Sequence, residues 1–409
     1  MARSIVVLAL LLASCASLQR AREDLDARSG LALVSGRVRV DGGDGAPVVV
    51  ALLRAPPREG CPYEVVDRRQ VFGREGGYEM VAEPGIYRLV AFEDSSRDLE
   101  YSPGERIVAW DDFHDLELAP RFHPGIDLEL SGLAPRFERA IATTPAPSGL
   151  SVGEVRALDD ARFGPEVARI GIWEPLRFLR ESGAGVYFLE PYDPSRTPVL
   201  FVHGMGGHPR EFASMIARLD RTTHQAWVAF YPSGWDLESI ASYLHRAMSE
   251  AHTTTRFERL CVVAHSMGGV IARRALAMHV GQREDPTRSF VHGFVTIASP
   301  LGGHPGAAQG VVLSPVVIDS WRSLVPASLF LRDLYDVPLP RETRYALLFA
   351  YRAGQSDDGV VPIASQLRAQ GQDEAQFVRG YEDTHTGVLQ NERVWAAVER
   401  ELETCRDAM

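Results

Sequence analysis

The sequence predicts two folded parts in series: a small all-β sandwich, then an α/β domain with a mostly parallel sheet and helices on both faces. Three observations predict it. Between Leu31 and Leu133, short apolar runs are punctuated by turns such as Pro84-Gly85 and Pro103-Gly104, as in a β-sandwich. From Val186 onward, near-continuous apolar strands are separated by segments of helical spacing, which implies a parallel sheet buried on both faces. One of these strands, Leu260 to Ala264, runs directly into Ser266 among small residues, and a helix-like segment, Val270 to Met278, follows at once.

A chain of 409 residues has room for two domains, and 45% hydrophobic with 24% charged residues is a globular composition. The net charge of -11 excludes a basic surplus for nucleic acid. All 43 positive residues are arginine. This reads as the codon bias of a GC-rich genome, so a single arginine carries little information.

In chain order, residues 1–15 are an address. Arg3 supplies a positive start, Ile5 to Leu12 a short apolar run, and Leu12-Ala13-Ser14-Cys15 the close. The run is too short to span a bilayer. The close resembles the bacterial lipobox, which implies cleavage before Cys15, lipid on Cys15 and a bacterial envelope location. Ala16 in the next position favours the outer membrane under the enteric sorting rule. An ordinary secretory signal with an incidental cysteine is the alternative. Residues 16–29 are polar and read as a tether.

Residues 30–133 hold the predicted sandwich strands: Val34 to Val40, Val48 to Leu53, Glu79 to Val81 and Ile86 to Phe92. The opening Gly36-Arg37-Val38 and the run Pro84 to Phe92 resemble transthyretin-like or carboxypeptidase-regulatory-like modules. Residues 134–165, with Thr143-Thr144-Pro145-Ala146-Pro147, read as a linker, and 166–409 as the α/β domain. Its predicted strands are Val186 to Leu189, Pro198 to Val202, Ala226 to Phe230, Leu260 to Ala264, Phe290 to Ala298, Tyr345 to Ala350 and Phe377 to Tyr381. Leu237, Ile240, Ala241, Leu244 and Met248 mark a helix between strands; Val394, Val398 and Leu402 mark a closing helix. Between 301 and 340 the alternation stops in an apolar stretch, read either as a lid insertion or as an ordinary helical excursion.

Of four cysteines, Cys15 is assigned to lipid, Cys261 reads as a small buried residue, and Cys61 and Cys405 are candidates to pair in an oxidising compartment. No cysteine spacing suggests a metal site.

The chemistry lies in Ala264-His265-Ser266-Met267-Gly268. A strand that turns sharply into a helix exposes a serine at the turn, and the residues two before and two after it must be small. Serine needs a base to take its proton, and the base needs an acid to hold it. Sites in parallel sheets lie beyond the C-terminal strand ends. Asp357-Asp358-Gly359-Val360-Val361 follows the strand ending near Ala350, and Thr384-His385-Thr386 follows the last strand. Asp358-Gly359-Val360-Val361 resembles the D-G-L-V segment in which the acid of bacterial lipases precedes glycine, which implies Asp358 as the candidate acid, with Asp357 the alternative; His385, after the acid and before the closing helix, is the candidate base. His304 is placed in the pocket wall or lid base; His203 and His265 are placed as structural neighbours. His203-Gly204-Met205-Gly206-Gly207 after the strand at Val202 is a candidate oxyanion loop. One donor would be the amide of Met267, after the serine, and the other an amide of this loop; its His203-Gly204-Met205 resembles lipases of the H-G-x type, which implies the amide of Met205.

Together, P-V-L-F-V-H-G-M-G-G, A-H-S-M-G-G, T-I-A-S-P-L-G-G, D-G-V-V-P and T-H-T-G resemble the α/β-hydrolase superfamily, and within it lipase-like and GPI-inositol-deacylase-like members. The resemblance spans about residues 170–405. It implies a serine hydrolase acting on acyl esters or lipids through an acyl-enzyme, without a cofactor. Acyl transfer to another acceptor uses the same residues. An inert surface binding lipoprotein is the reading from another class.

Overall fold

The computed structural model describes residues 15–54, 63–71, 73–131, 150–281 and 289–407. The address segment before Cys15 and the pairing candidate Cys61 lie outside them. The first element is a helix, α1 (Cys15–Ser29). Then come β1 (Ala32–Asp41), β2 (Val48–Arg54), β3 (Glu64–Val71), β4 (Glu75–Ala82), β5 (Gly85–Glu93), β6 (Ile107–Ala109), β7 (Leu116–Leu118), β8 (Phe122–His123) and β9 (Leu128–Ser131). They form two sheets. One has the order β4-β1-β8 with β9 also on β1; the other is β3-β2-β5-β6 with β7 also on β5. The parity of β2 shows why its run is continuously apolar. Val48, Val50 and Leu52 enter the core between the sheets, while Val49, Ala51 and Leu53 enter a second cluster with Phe92 and Tyr101 on the outer face.

The second part contains β10 (Leu150–Val155), α2 (Pro165–Trp173), α3 (Pro175–Glu181), β11 (Ala184–Phe188), β12 (Thr197–Val202), α4 (Ala213–Arg218), β13 (His224–Phe230), α5 (Leu237–Thr255), β14 (Leu260–His265), α6 (Met267–Gly281) and β15 (Val291–Ile297). Three short helices follow, α7 (Pro305–Leu313), α8 (Asp319–Leu324) and α9 (Leu329–Asp333). The chain ends with β16 (Arg344–Tyr351), α10 (Ile363–Gln366), α11 (Ala369–Glu374), β17 (Phe377–Glu382) and α12 (Glu392–Asp407). The eight strands lie in the order β10-β11-β13-β12-β14-β15-β16-β17. All neighbours are parallel except β11 and β13. β12, β13 and β14 are buried at nearly every position, as expected for central strands with helices on both faces.

Three expectations are corrected. The stretch expected to be linker, 134–165, already contains β10, which pairs in parallel with β11, so the α/β sheet starts at Leu150. The expected tether, 16–29, is inside helix α1, which is docked. Both oxygens of Asp24 accept from the amides of Leu176 and Arg177 at 3.1 and 2.8 Å. These are free amides at the start of α3, whose own preceding residue Glu174 makes no side-chain cap. Arg20 pairs with Glu174, and Arg28 pairs with Asp319 while lying over the Trp235 ring.

The cysteine pairing also differs. Cys405 is bonded to Cys261, not to Cys61. α12 packs across β14 and β15 so closely that a Cβ on Gly293 would lie 2.7 Å from Cys405 Cβ. That close approach brings the helix cysteine onto the buried strand cysteine.

The two parts meet where β3 lies along α5. Arg68 pairs with Glu250, Arg246 with Asp67, and Gln70 donates to Thr253 Oγ1 at 3.1 Å.

Candidate active site

β14 delivers Ser266 at a sharp turn into α6. Ser266 has φ 54°, a left-handed backbone that costs a non-glycine residue about 1–2 kcal/mol. Neighbouring packing holds it there: Ser266 N donates to Ile297 O on β15 at 2.8 Å. Gly268 must be glycine, since a Cβ there would fall 2.4 and 2.5 Å from the carbonyl oxygens of His203 and Val202. Alanine suffices at the other small position, where Ala264 is fully buried.

His385 follows β17. Its Nδ1 lies 2.7 Å from Asp358 Oδ2 and its Nε2 lies 2.9 Å from Ser266 Oγ. The carboxylate can only accept, so Nδ1 carries the proton and Nε2 is free to accept from the serine hydroxyl. The structure thus brings together the serine, base and acid named from the motifs. Asp358 is fully buried, and its Oδ1 accepts from the amides of Val360 and Val361 at 2.9 and 2.7 Å. Asp357, the alternative acid, is turned away: it accepts from Arg352 and from the Gly359 amide. The Arg352 guanidinium is the largest cause holding its carboxyl below the usual range.

The loop after β12 lies directly over the serine. A Cβ on Gly204 would sit 2.8 Å from Ser266 Cβ. The amide of Gly206 donates to Ser233 Oγ at 2.9 Å and that of Gly207 to Gly204 O at 3.1 Å. These bonds set the path of the loop that carries the Met205 amide. Met267, whose amide is the second candidate donor, opens α6, where the first-turn amides have no partner within the helix.

The other histidines singled out in the motifs make structural bonds. His203 Nδ1 donates to Gly204 O at 2.8 Å, and its ring stacks on Tyr231, whose hydroxyl donates to His203 O. His304 Nε2 donates to Val360 O at 2.7 Å while its Nδ1 accepts from Gly306 N, tying the start of the 301–340 stretch to the acid loop.

Sequence reasoning missed several groups. Gln366, on α10, donates to Asp358 Oδ2 at 3.3 Å and to the carbonyls of Ala350 and Val361. Glu211 sits under the candidate oxyanion loop, with its Oε2 2.7 Å from where a Gly207 Cβ would fall. Burial pushes its carboxyl up, and His385 acts in the opposite direction. Nothing local in the sequence marks either residue.

Fold and site together define the class. Residues 199–400 match the alpha/beta hydrolase family, and the domain running from β10 to α12 has the α/β-hydrolase fold. Comparison with curated proteins gives no match. Among solved structures, the chain is similar to a Bacillus licheniformis lipase in its mature form, at 16% identity over 53% of this chain and 96% of that one, TM-score 0.42. It is similar to a metagenomic carboxyl esterase at 15% identity, over 53% of this chain and 77% of that one, TM-score 0.39. A phospholipase from Legionella pneumophila aligns at 18% identity, over 42% of this chain and 44% of that one, TM-score 0.36.

Proposed function

We propose that the protein is a membrane-anchored serine ester hydrolase acting on acyl esters or lipids, with Ser266 as nucleophile, His385 as base and Asp358 as the acid that holds the base. The observation that carries this reading is the continuous relay from Ser266 Oγ through both nitrogens of His385 to Asp358, at 2.9 and 2.7 Å.

In this reading, Ser266 Oγ forms a bond to the ester carbonyl carbon as its proton passes to His385 Nε2. The carbonyl oxygen becomes an oxyanion and accepts from the amides of Met205 and Met267. Collapse expels the alcohol, which takes the proton from Nε2, and leaves an acyl-enzyme. Water repeats the sequence and releases the acid. Asp358 keeps the tautomer and stabilises the imidazolium. The anchor is lipid on Cys15, placing the enzyme on the bacterial envelope. Its support is the lipobox-like ending of the address segment.

The test is covalent labelling by a fluorophosphonate, together with turnover of p-nitrophenyl esters and phospholipids. Wild type should be labelled and active, and Ser266→Ala should be neither. A folded wild type that resists the probe sinks the enzyme reading. Cys15→Ser should release the protein from the membrane fraction; unchanged fractionation removes the anchor from the proposal.

A further inference from the structure

Two main-chain bonds run beside the side-chain relay. The amide of His385 donates to the carbonyl of Asp358 at 2.9 Å. The carbonyl of His385 accepts from His265 Nε2 at 2.8 Å. His265 is the residue immediately before the serine. The base is therefore fixed at its backbone from both sides, by the acid's own residue and by the nucleophile's neighbour. The side-chain relay needs Asp358, His385 and Ser266, the residue after His265, to stay in register.

We infer that His265 is a positioning residue for the reaction: its imidazole sets the height of the His385 backbone and so the distance from Nε2 to Ser266 Oγ. This inference rests on the serine hydrolase reading above. Three observations carry it. The ring is buried, 3% exposed, and lies 4.8 Å from the His385 ring. The bond to His385 O requires the proton on Nε2, leaving Nδ1 bare, and among the described residues Nδ1 has no partner. A histidine kept in such a site with one of its nitrogens unused is costly unless its single bond matters. Burial also keeps the ring neutral, with its pKa pushed down to about 3, so it adds no charge beside the base. The strained turn at Ser266 leaves little slack on the other side: β14 ends at His265, and its residues are buried throughout. The bond joins a rigid strand end to the loop after β17, and loops are the mobile parts of such sites.

A misplacement of about 1 Å in a reacting pair can cost on the order of 100-fold. His265→Leu removes the donor and keeps the bulk. It should lower kcat roughly 10- to 100-fold with KM unchanged, and slow fluorophosphonate labelling by the same factor. His265→Gln, whose amide nitrogen can replace Nε2, should recover most of both. Rates are read well below the melting temperature of each variant, so that every protein is folded. If His265→Leu keeps kcat within twofold of wild type, or if His265→Gln is as impaired as His265→Leu, the positioning role is wrong. Failure of the underlying reading looks different: there, wild type itself is not labelled, or Ser266→Ala keeps its turnover.

Discussion

Gln366 donates its side-chain amide at 3.3 Å to Asp358 Oδ2, the same oxygen that accepts the hydrogen bond from His385 Nδ1. Its amide oxygen accepts from Ala350 N at 2.9 Å, at the end of β16. The acid is thereby clamped to the strand it follows. Gln366→Leu keeps the volume but removes four hydrogen bonds. It should cost about 2–4 kcal/mol of stability, because buried polar partners are left unpaired. A chemical denaturation midpoint measures this, and a cost below about 1 kcal/mol contradicts the clamp.

The two adjacent aspartates should separate cleanly. Asp358→Asn should lower kcat by on the order of 10⁴ through the wrong histidine tautomer. Asp357→Asn only weakens a partly exposed contact with Arg352 and should stay within a few fold. Steady-state esterase kinetics on the two variants decide it, and a dead Asp357→Asn reverses the assignment.

Gly204→Ala would bring a Cβ to 2.8 Å from Ser266 Cβ. The loop must move, and the Met205 amide moves with it. Loss of one oxyanion donor costs about 10²–10³ in kcat. The expected result is a kcat loss of that size with a melting temperature close to wild type. Unchanged kcat would mean that the loop does not carry the donor.

Acid should destabilise the fold through buried histidine. His203 is pushed down to about 3, chiefly by burial, against the help of its bond to Gly204. In the unfolded chain it titrates near about 6.5. Between those values the unfolded state binds a proton that the folded state refuses, so stability falls as pH drops from about 6.5 toward 3. The buried carboxyls Asp67 and Glu250, both raised by burial, have the opposite sign, so the contribution must be isolated by substitution. His203→Asn keeps a donor for Gly204 O and does not titrate. Its melting temperature should fall less than that of wild type between pH 7 and pH 5; an equal fall rules out His203 as a source.

Cys261 and Cys405 close a loop of 144 residues. Loop-closure entropy puts such a bond at roughly 4–5 kcal/mol. Reductant should therefore lower the denaturation midpoint of wild type and leave Cys261→Ala/Cys405→Ala unaffected. Equal midpoints with and without reductant contradict the loop effect.

Periodicity carried the α/β part of the fold well. The apolar run read as Leu260 to Ala264 is β14 with one residue added, and the helix-like segment Val270 to Met278 lies inside α6. Two candidate site residues stood out because chemistry and backbone both constrain them, a serine at a strand-to-helix turn and a histidine after the last strand; the choice of Asp358 over Asp357 came from the resemblance of Asp358-Gly359-Val360-Val361 to a lipase segment. What stayed hidden depends on partners distant in sequence. Cys261 is buried as expected, but its partner is set by how α12 crosses the sheet. Asp24 reads as one more charge in a polar stretch. Its role exists only because α3 begins with unsatisfied amides 152 residues away.

That docking has a mechanical consequence. Fourteen unstructured residues would be a leash, with a typical end-to-end distance of about 20 Å and a catalytic unit free to tumble. α1 is instead a strut: 15 residues of helix, about 22 Å long, pinned by Asp24, Arg20 and Arg28. With lipid on Cys15 as proposed, the helix starts at the membrane and no slack lies between bilayer and hydrolase. The mouth of the site would then ride at one height and one tilt above its own leaflet, sampling esters within a thin layer and missing those a few nanometres away.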